Sequence, residues 1–206
     1  MINLIIAQLQ AYFLGAFPTS VWLGKLLYNV DVRKHGSRNA GATNTFRVLG
    51  KPLGWTVLLL DVGKGFLAVS LVKVVLGEVS DLLLWQILAG VLAVLGHIYS
   101  IFTGFKGGKG VATALGVNLC LCLYPVLLSL GVFLIVFIST RYVSLSSIIA
   151  SCVFPLALYA ISPNSEMLLF GFSLFVPMVV LYTHRMNVKR LINGNEPKMN
   201  LIKSKA

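Results

Sequence analysis

Apolar residues in this chain fall in long unbroken blocks, not in strict alternation or one-sided stripes, and the blocks decide the fold class. A helix needs about 20 predominantly apolar residues to cross a bilayer. Residues 2–26, 53–77, 82–103, 145–161 and 166–183 meet that measure. Polar residues collect between them in the basic stretches "DVRKHGSRNAGATNTFRVLGK" and "FKGGKG" and in the tail from His184, and the turns "GEVSD" and "SPNSE" are acidic or neutral. The excess of lysine and arginine on cytoplasmic loops puts the basic set inside, so the N-terminus is expected outside and the C-terminus in the cytoplasm.

Residues 111–140 are long enough for one tilted span or two short ones. Parity favours two. With the tail inside and "SPNSE" outside, Arg141 lies inside, as do Lys106 and Lys109, so the chain crosses an even number of times between them. Tyr124 and Pro125 mark the expected turning point, since proline breaks a helix and tyrosine favours the interface. The expected architecture is all-α: a polytopic membrane bundle of about seven helices, with five as the alternative, forming one integral membrane domain over residues 1–206. The first block has no basic segment before it and is too long for a cleaved signal, so it is read as a retained span.

Composition strengthens the membrane reading. The chain is 57% hydrophobic and 11% charged, against about 25% charged in a soluble protein. Its 17 Lys and Arg outnumber 6 Asp and Glu. No polar domain presents these cations to a nucleic acid, so anionic headgroups of the lipid bilayer or a phosphorylated substrate are the expected partners. Cys120, Cys122 and Cys152 all lie in apolar runs without zinc-site spacing and read as small hydrophobes. No metal or cofactor is called for.

Three polar clusters fall on the expected cytoplasmic side. The first, His35 to Arg47, alternates Gly36 and Gly41 with Ser37, Asn39, Thr43 and Asn44 and carries Arg38 and Arg47. An ordinary charged turn is its plain reading, and a backbone that approaches an oxyanion closely is the functional one. The second, "GFKGGKGVATALG" from Gly104, fails as a Walker loop, because Lys109 is followed by Gly110 and no strand precedes it. It has more glycines than a tight turn requires and enters a helix expected to start near Val111. Free amides there, with Lys106 and Lys109, suit phosphate. His97, just before, reads equally as a packing residue or a ligand. In the third, from Thr183 to Glu196, residues His184, Asn187 and Arg190 have helical spacing. Lys189, Lys198, Lys203 and Lys205 read as positive-inside anchors, and Glu196 as a tie for an arginine. Within the spans, Asp61 and Lys64 share a helical face, and such residues at membrane depth face the bundle interior or a wet cavity. Ser144, Ser146 and Ser147 sit at a span entrance, where one hydroxyl either binds substrate or caps the helix.

Taken together, "GSRNAGATN...R", "GH...FKGGKGVAT" and "HR.N..RL..G.E" resemble the three motifs of the bacterial acyl-phosphate:glycerol-3-phosphate acyltransferases, integral membrane enzymes that make lysophosphatidate. The likeness covers nearly the whole chain, in order and spacing, with Arg38 where a small residue is expected and Ser100 where proline is more frequent. It implies that Gly104, Lys106, Gly107, Gly108, Lys109 and Gly110 hold the phosphate of an acyl phosphate; Ser144, from the reading of the span entrance, is set beside them. It also implies that Ser37 and Arg47 bind glycerol 3-phosphate, with Asn39 and Asn44 as supporting donors. His184 and Asn187 join Ser37 and Arg47 as active-site residues, and Glu196 has a structural role. The implied reaction is attack of the glycerol 1-hydroxyl on the mixed anhydride, with His184 or a substrate phosphate oxygen as proton acceptor. An enzyme that produces acyl phosphate is the implied functional partner, and the inner cell membrane, with the site on its cytoplasmic side, the implied location.

A transporter of a phosphorylated metabolite is the alternative, and it calls for basic gates on both faces, whereas the outer turns hold Glu78, Asp81 and Glu166. A magnesium-dependent headgroup transferase needs clustered carboxylates, which Asp61 and Glu196 do not supply. The soluble acyltransferase signature, His followed five positions later by Asp, is absent after all three histidines. A purely structural membrane protein has no use for such glycine and cation density at three places.

Overall fold

The computed structural model describes residues 1–199; Lys203 and Lys205 lie outside that range. Every regular element among the described residues is helical. The chain forms two compact units, one over Met1–Leu121 and one from Cys122 onward. The first contains α1 (Ile2–Ala16), α2 (Thr19–Tyr28), α3 (Ala42–Leu49), α4 (Lys51–Leu76), α5 (Leu82–Ile98) and α6 (Val111–Leu121), with 3-10 turns at Val32–Lys34 and Ile101–Thr103. The second contains α7 (Leu123–Thr140), α8 (Val143–Ile161) and α9 (Met167–Ile192).

Four described segments are long and apolar enough to cross a membrane: Leu82–Thr103, Leu123–Thr140, Val143–Ile161 and Met167–Ile192. The expected span at 2–26 is instead a pair of helices, α1 and α2, bent by 45°, which counts as a fifth span if the pair is taken as one. Pro18 is the cause, since it has no N–H to continue the ladder. The break leaves backbone carbonyls that lipid cannot satisfy. Two of them are taken up by side chains from other helices or their ends: Ser100 Oγ donates to Ala16 O, and Lys64 Nζ to Phe17 O at 2.9 Å. The 111–140 block is broken into two helices, and the break falls at Cys122; Tyr124 and Pro125 lie in the first turn of α7, where proline is tolerated. Of its two pieces, α7 has 18 residues and α6 only 11.

Helices in lipid gain no hydrophobic advantage from meeting, so close backbone approach must hold them together. In the first unit glycines provide it in reciprocal pairs. A Cβ on Gly15 of α1 would collide with Ala93 O of α5, and one on Gly96 of α5 with Tyr12 O of α1. The same exchange joins α4 and α6, where Gly65 lies on Thr113 O and Gly116 on Val62 O. A small apolar core of Ala11, Ala68, Val72, Ala89 and Ala93 fills the remaining space. In the second unit buried serines take the glycines' place, with the hydroxyls of Ser146 and Ser147 returned to the carbonyls of Tyr142 and Val143 in the preceding turn.

The stretch 31–51, a polar connection by sequence, contains the amphipathic α3. That helix is anchored by Phe46, whose ring covers Gly54 of α4 and meets the Trp55 ring edge-on at 5.3 Å.

Gly63 and Gly116 provide a matched test, because a Cβ at Gly63 would have nothing within 4 Å, whereas one at Gly116 would strike Val62 O. Gly116→Val is expected to destabilise the detergent-purified protein by at least about 1–3 kcal/mol, the usual cost of overpacking. Gly63→Ala is expected to be neutral or stabilising by up to about 1 kcal/mol, from helix propensity. Thermal unfolding followed by loss of the monodisperse chromatographic peak reads both.

Candidate active site

The connection from α2 to α3 is built around two side chains. Asp31 caps the 3-10 turn by accepting the Arg33 N–H at 3.0 Å, and its carboxylate takes the guanidinium of the same arginine at 3.0 and 2.7 Å. The Arg33 hydrogen bond lowers the Asp31 pKa to about 2 despite the opposing effect of burial. Arg33 Nη1 then donates to Thr103 O at 3.2 Å, which ties this connection to the segment leading into the glycine loop.

The second organiser is Asn44, 1% exposed in the first turn of α3. Its Oδ1 accepts the Ser37 N–H at 2.8 Å, and its Nδ2 donates to Val32 O at 2.7 Å and His35 O at 3.1 Å. Gly36, at φ +59°, is required here, because a Cβ would strike Asn44 Oδ1. The neighbouring Arg38 also adopts a left-handed conformation, at φ +59°, which only glycine enters without strain. Asn44 is thus turned into the loop it supports. Ser37 is exposed on that loop, and Asn39 and Arg47 are partly exposed.

The glycine loop is stitched to the C-terminal end of α5. Gly107 N–H donates to Ile98 O and Gly108 N–H to His97 O, both at 3.0 Å, and Phe105 N–H to Ser100 O at 2.8 Å. A Cβ on Gly107 would meet His97 O; one on Gly108 would meet both the His97 ring at Nε2 and Ala40 O of the first loop. These two glycines therefore permit close approach, and their amides are spent on α5 carbonyls. The donors suited to an anion are the first-turn amides of α6, which have no acceptor within their helix. Two cations flank that helix start: Lys106 is exposed and Lys109 partly so. Ala114 N–H closes the first bond of α6 on Gly110 O at 2.7 Å. The Ser37–Asn44 loop and the glycine loop thus touch at Ala40 and Gly108.

In the second unit Glu196 is the centre of a buried node. Its Oε1 accepts from Ser144 Oγ at 2.7 Å and Asn187 Nδ2 at 2.6 Å, and its Oε2 from Arg190 Nε at 2.7 Å. Burial works to raise the carboxyl pKa, but the hydrogen bonds from Ser144, Asn187 and Arg190 prevail and the net shift is downward. Helical spacing groups His184, Asn187 and Arg190; Asn187 and Arg190 meet at Glu196. The spacing gave no sign that Ser144, 52 positions away from Glu196, would join them. Ser144 was expected to reach a phosphate; here its hydroxyl donates to a carboxylate. The His184 ring, 3% exposed, puts Nδ1 at 2.9 Å from Val180 O. A carbonyl only accepts, so Nδ1 carries the proton in the neutral ring and Nε2 the lone pair.

Known proteins resemble this chain over nearly all of its length. The family model described as glycerol-3-phosphate acyltransferase matches residues 5–194. A glycerol-3-phosphate acyltransferase of Fusobacterium nucleatum is 43% identical over 187 residues, 91% of this chain and 93% of that protein. Glycerol-3-phosphate acyltransferase 3 of Bacillus anthracis is 42% identical over 203 residues, 98% of each. Among solved structures, PlsY (YgiH), an integral membrane glycerol 3-phosphate acyltransferase, superposes in its glycerol 3-phosphate form with a TM-score of 0.86 at 37% identity, covering 96% of both chains. Its lysophosphatidic acid form gives 0.83 at 36% identity, covering 96% of this chain and 95% of that one. The chain therefore belongs to the glycerol-3-phosphate acyltransferase family of integral membrane enzymes.

Proposed function

We propose that the protein transfers a fatty acyl group from an acyl phosphate to the 1-hydroxyl of glycerol 3-phosphate, giving lysophosphatidate and inorganic phosphate, on the cytoplasmic face of a bacterial cell membrane. The observation that carries this reading is the contact of two loops, each suited to a phosphate, at Ala40 and Gly108. Two substrates that each bear a phosphate need such a pair. The neighbouring structures support it from outside, since PlsY was solved with glycerol 3-phosphate and in a lysophosphatidic acid form.

The chemistry asks mainly for positioning and charge neutralisation. The hydroxyl oxygen attacks the acyl carbon, a tetrahedral intermediate forms, and the bond from that carbon to the bridging oxygen breaks as phosphate leaves. An acyl phosphate is already activated, so no protein nucleophile is required. In this reading the first turn of α6, with Lys106 and Lys109, holds the acyl phosphate, with Gly104, Gly107, Gly108 and Gly110 shaping the loop. Ser37, Asn39 and Arg47 address glycerol 3-phosphate, and Asn44 positions Ser37. His184 and Asn187 of the second unit keep the active-site roles that the resemblance implies, and Glu196 holds Asn187 at 2.6 Å. The hydroxyl proton leaves either to a substrate phosphate oxygen, which we favour, or to His184 Nε2. A mixed anhydride hydrolyses readily, which makes an enzyme that supplies it the natural functional partner.

Purified protein with glycerol 3-phosphate and a long-chain acyl phosphate is expected to yield lysophosphatidate and one phosphate per turnover. Absence of product, with uptake of a phosphorylated solute into proteoliposomes instead, would favour the transporter. His184→Gln is expected to retain near-normal kcat; a loss of several orders of magnitude with both KM values intact would make His184 the base. Asn44→Ala removes three hydrogen bonds worth about 1 kcal/mol each. It is expected to raise KM for glycerol 3-phosphate about tenfold or more, beyond any change for acyl phosphate; the reverse order would assign the loops to the wrong substrates.

A further inference from the structure

The acyl-transfer chemistry above leaves one cluster of buried polar side chains in the first unit without a role. Asp61 and Lys64, one turn apart in α4, are 2% and 7% exposed and form an ion pair at 2.9 Å. Asp61 Oδ1 also accepts from Thr19 Oγ1 at 2.9 Å, and the Lys64 ammonium also donates to Phe17 O at 2.9 Å. His97, 8% exposed, brings Nδ1 to 3.8 Å from the same Asp61 oxygen. That is beyond hydrogen-bonding distance, so this coupling is electrostatic and steric. Four polar side chains with two full charges are expensive to bury, whereas an apolar set would pack at no desolvation cost. Satisfying the α1–α2 break accounts for Lys64 alone and leaves Asp61, Thr19 and His97 unexplained.

His97 supplies the missing link. One edge of its ring faces Asp61; the other edge, at Nε2, fills the space where Gly108 would carry a Cβ. Its carbonyl receives the Gly108 N–H. A shift of this ring therefore moves the glycine loop through the Gly108 N–H bond to His97 O, and the ring lies beside the Asp61 carboxylate, itself held by Lys64 and Thr19.

We propose that Asp61, Lys64 and Thr19 are positioning residues for the acyl phosphate: they fix the His97 ring, and that ring fixes Gly108 and with it the loop leading into α6. The inference rests on assigning the glycine loop to the acyl phosphate. It predicts a particular pattern of damage. Loss of the network loosens the loop while leaving the Asn44-braced loop in place, so KM for acyl phosphate rises before kcat or KM for glycerol 3-phosphate changes.

The test uses full-length protein in detergent, with monodispersity checked for each variant and steady-state kinetics run against both substrates. Asp61→Asn is expected to raise KM for acyl phosphate about tenfold or more, with KM for glycerol 3-phosphate within about twofold. Thr19→Val, which removes one hydrogen bond and keeps the shape, is expected to raise it about threefold to fivefold. Lys64→Arg should lie nearer the wild type than Lys64→Met. If Asp61→Asn does not fold, Thr19→Val decides alone. Monodisperse variants with unchanged KM for acyl phosphate overturn the proposal, as does a fall in kcat that tracks loss of folded protein with both KM values constant. If the wild type itself does not turn over acyl phosphate with glycerol 3-phosphate, the functional reading fails and takes this inference with it.

Discussion

Backbone approaching backbone through glycine is the constraint on which the first unit depends. Lipid provides helices with no reason to associate, so α1 with α5 and α4 with α6 are held where a missing Cβ lets one helix reach the carbonyls of the next. The same device then builds the site. Gly107 and Gly108 lie against the end of α5 as tightly as Gly96 lies against α1. The glycine loop is in effect an extension of the packing scheme into the polar layer, and it inherits its rigidity.

This changes what the glycines of the second motif are for. A loop rich in glycine next to a helix start invites the picture of amides wrapped round an anion. Here two of those amides are bonded to Ile98 and His97 carbonyls, so they are already occupied by the protein itself. In the proposed reading the anion falls to the start of α6 and the lysines, where the field of the helix is strongest. Asn44 does for the first loop what the α5 carbonyls do for the second, since its one amide fixes Ser37, Val32 and His35 together.

Much of this was legible in the sequence, and the exceptions have physical causes. Block length predicted α4, α5, α8 and α9 to within a few residues, except that α9 runs on to Ile192, because polar residues past the membrane edge continue a helix without an apolar signal. The bend at Pro18 is visible only if one proline is allowed to outweigh a long apolar block. Motif spacing brought Asn187 and Arg190 together, since i and i+3 neighbours are fixed by helix geometry. It could not bring Ser144 to Glu196 or His97 to Asp61, because contacts between helices depend on packing and leave no periodicity to read. Likewise Asn44 looked like one more donor among several until its burial showed which way it faces.

The break between α1 and α2 also bears on how the chain is made. The carbonyls of Ala16 and Phe17 find their side-chain donors in Ser100 and Lys64, 84 and 47 positions later. A ribosome delivers the N-terminal helices well before either donor exists. Until α4 and the end of α5 have emerged, neither carbonyl has its donor from another helix, and Phe17 O keeps only the Thr19 N–H of its own segment at 3.0 Å. The first two helices are therefore committed to the bilayer in an unfinished state, and Lys64 closes the kink as it carries its own charge in beside Asp61. Synthesis order and burial order differ here, and the sixty-fourth residue completes what the seventeenth began.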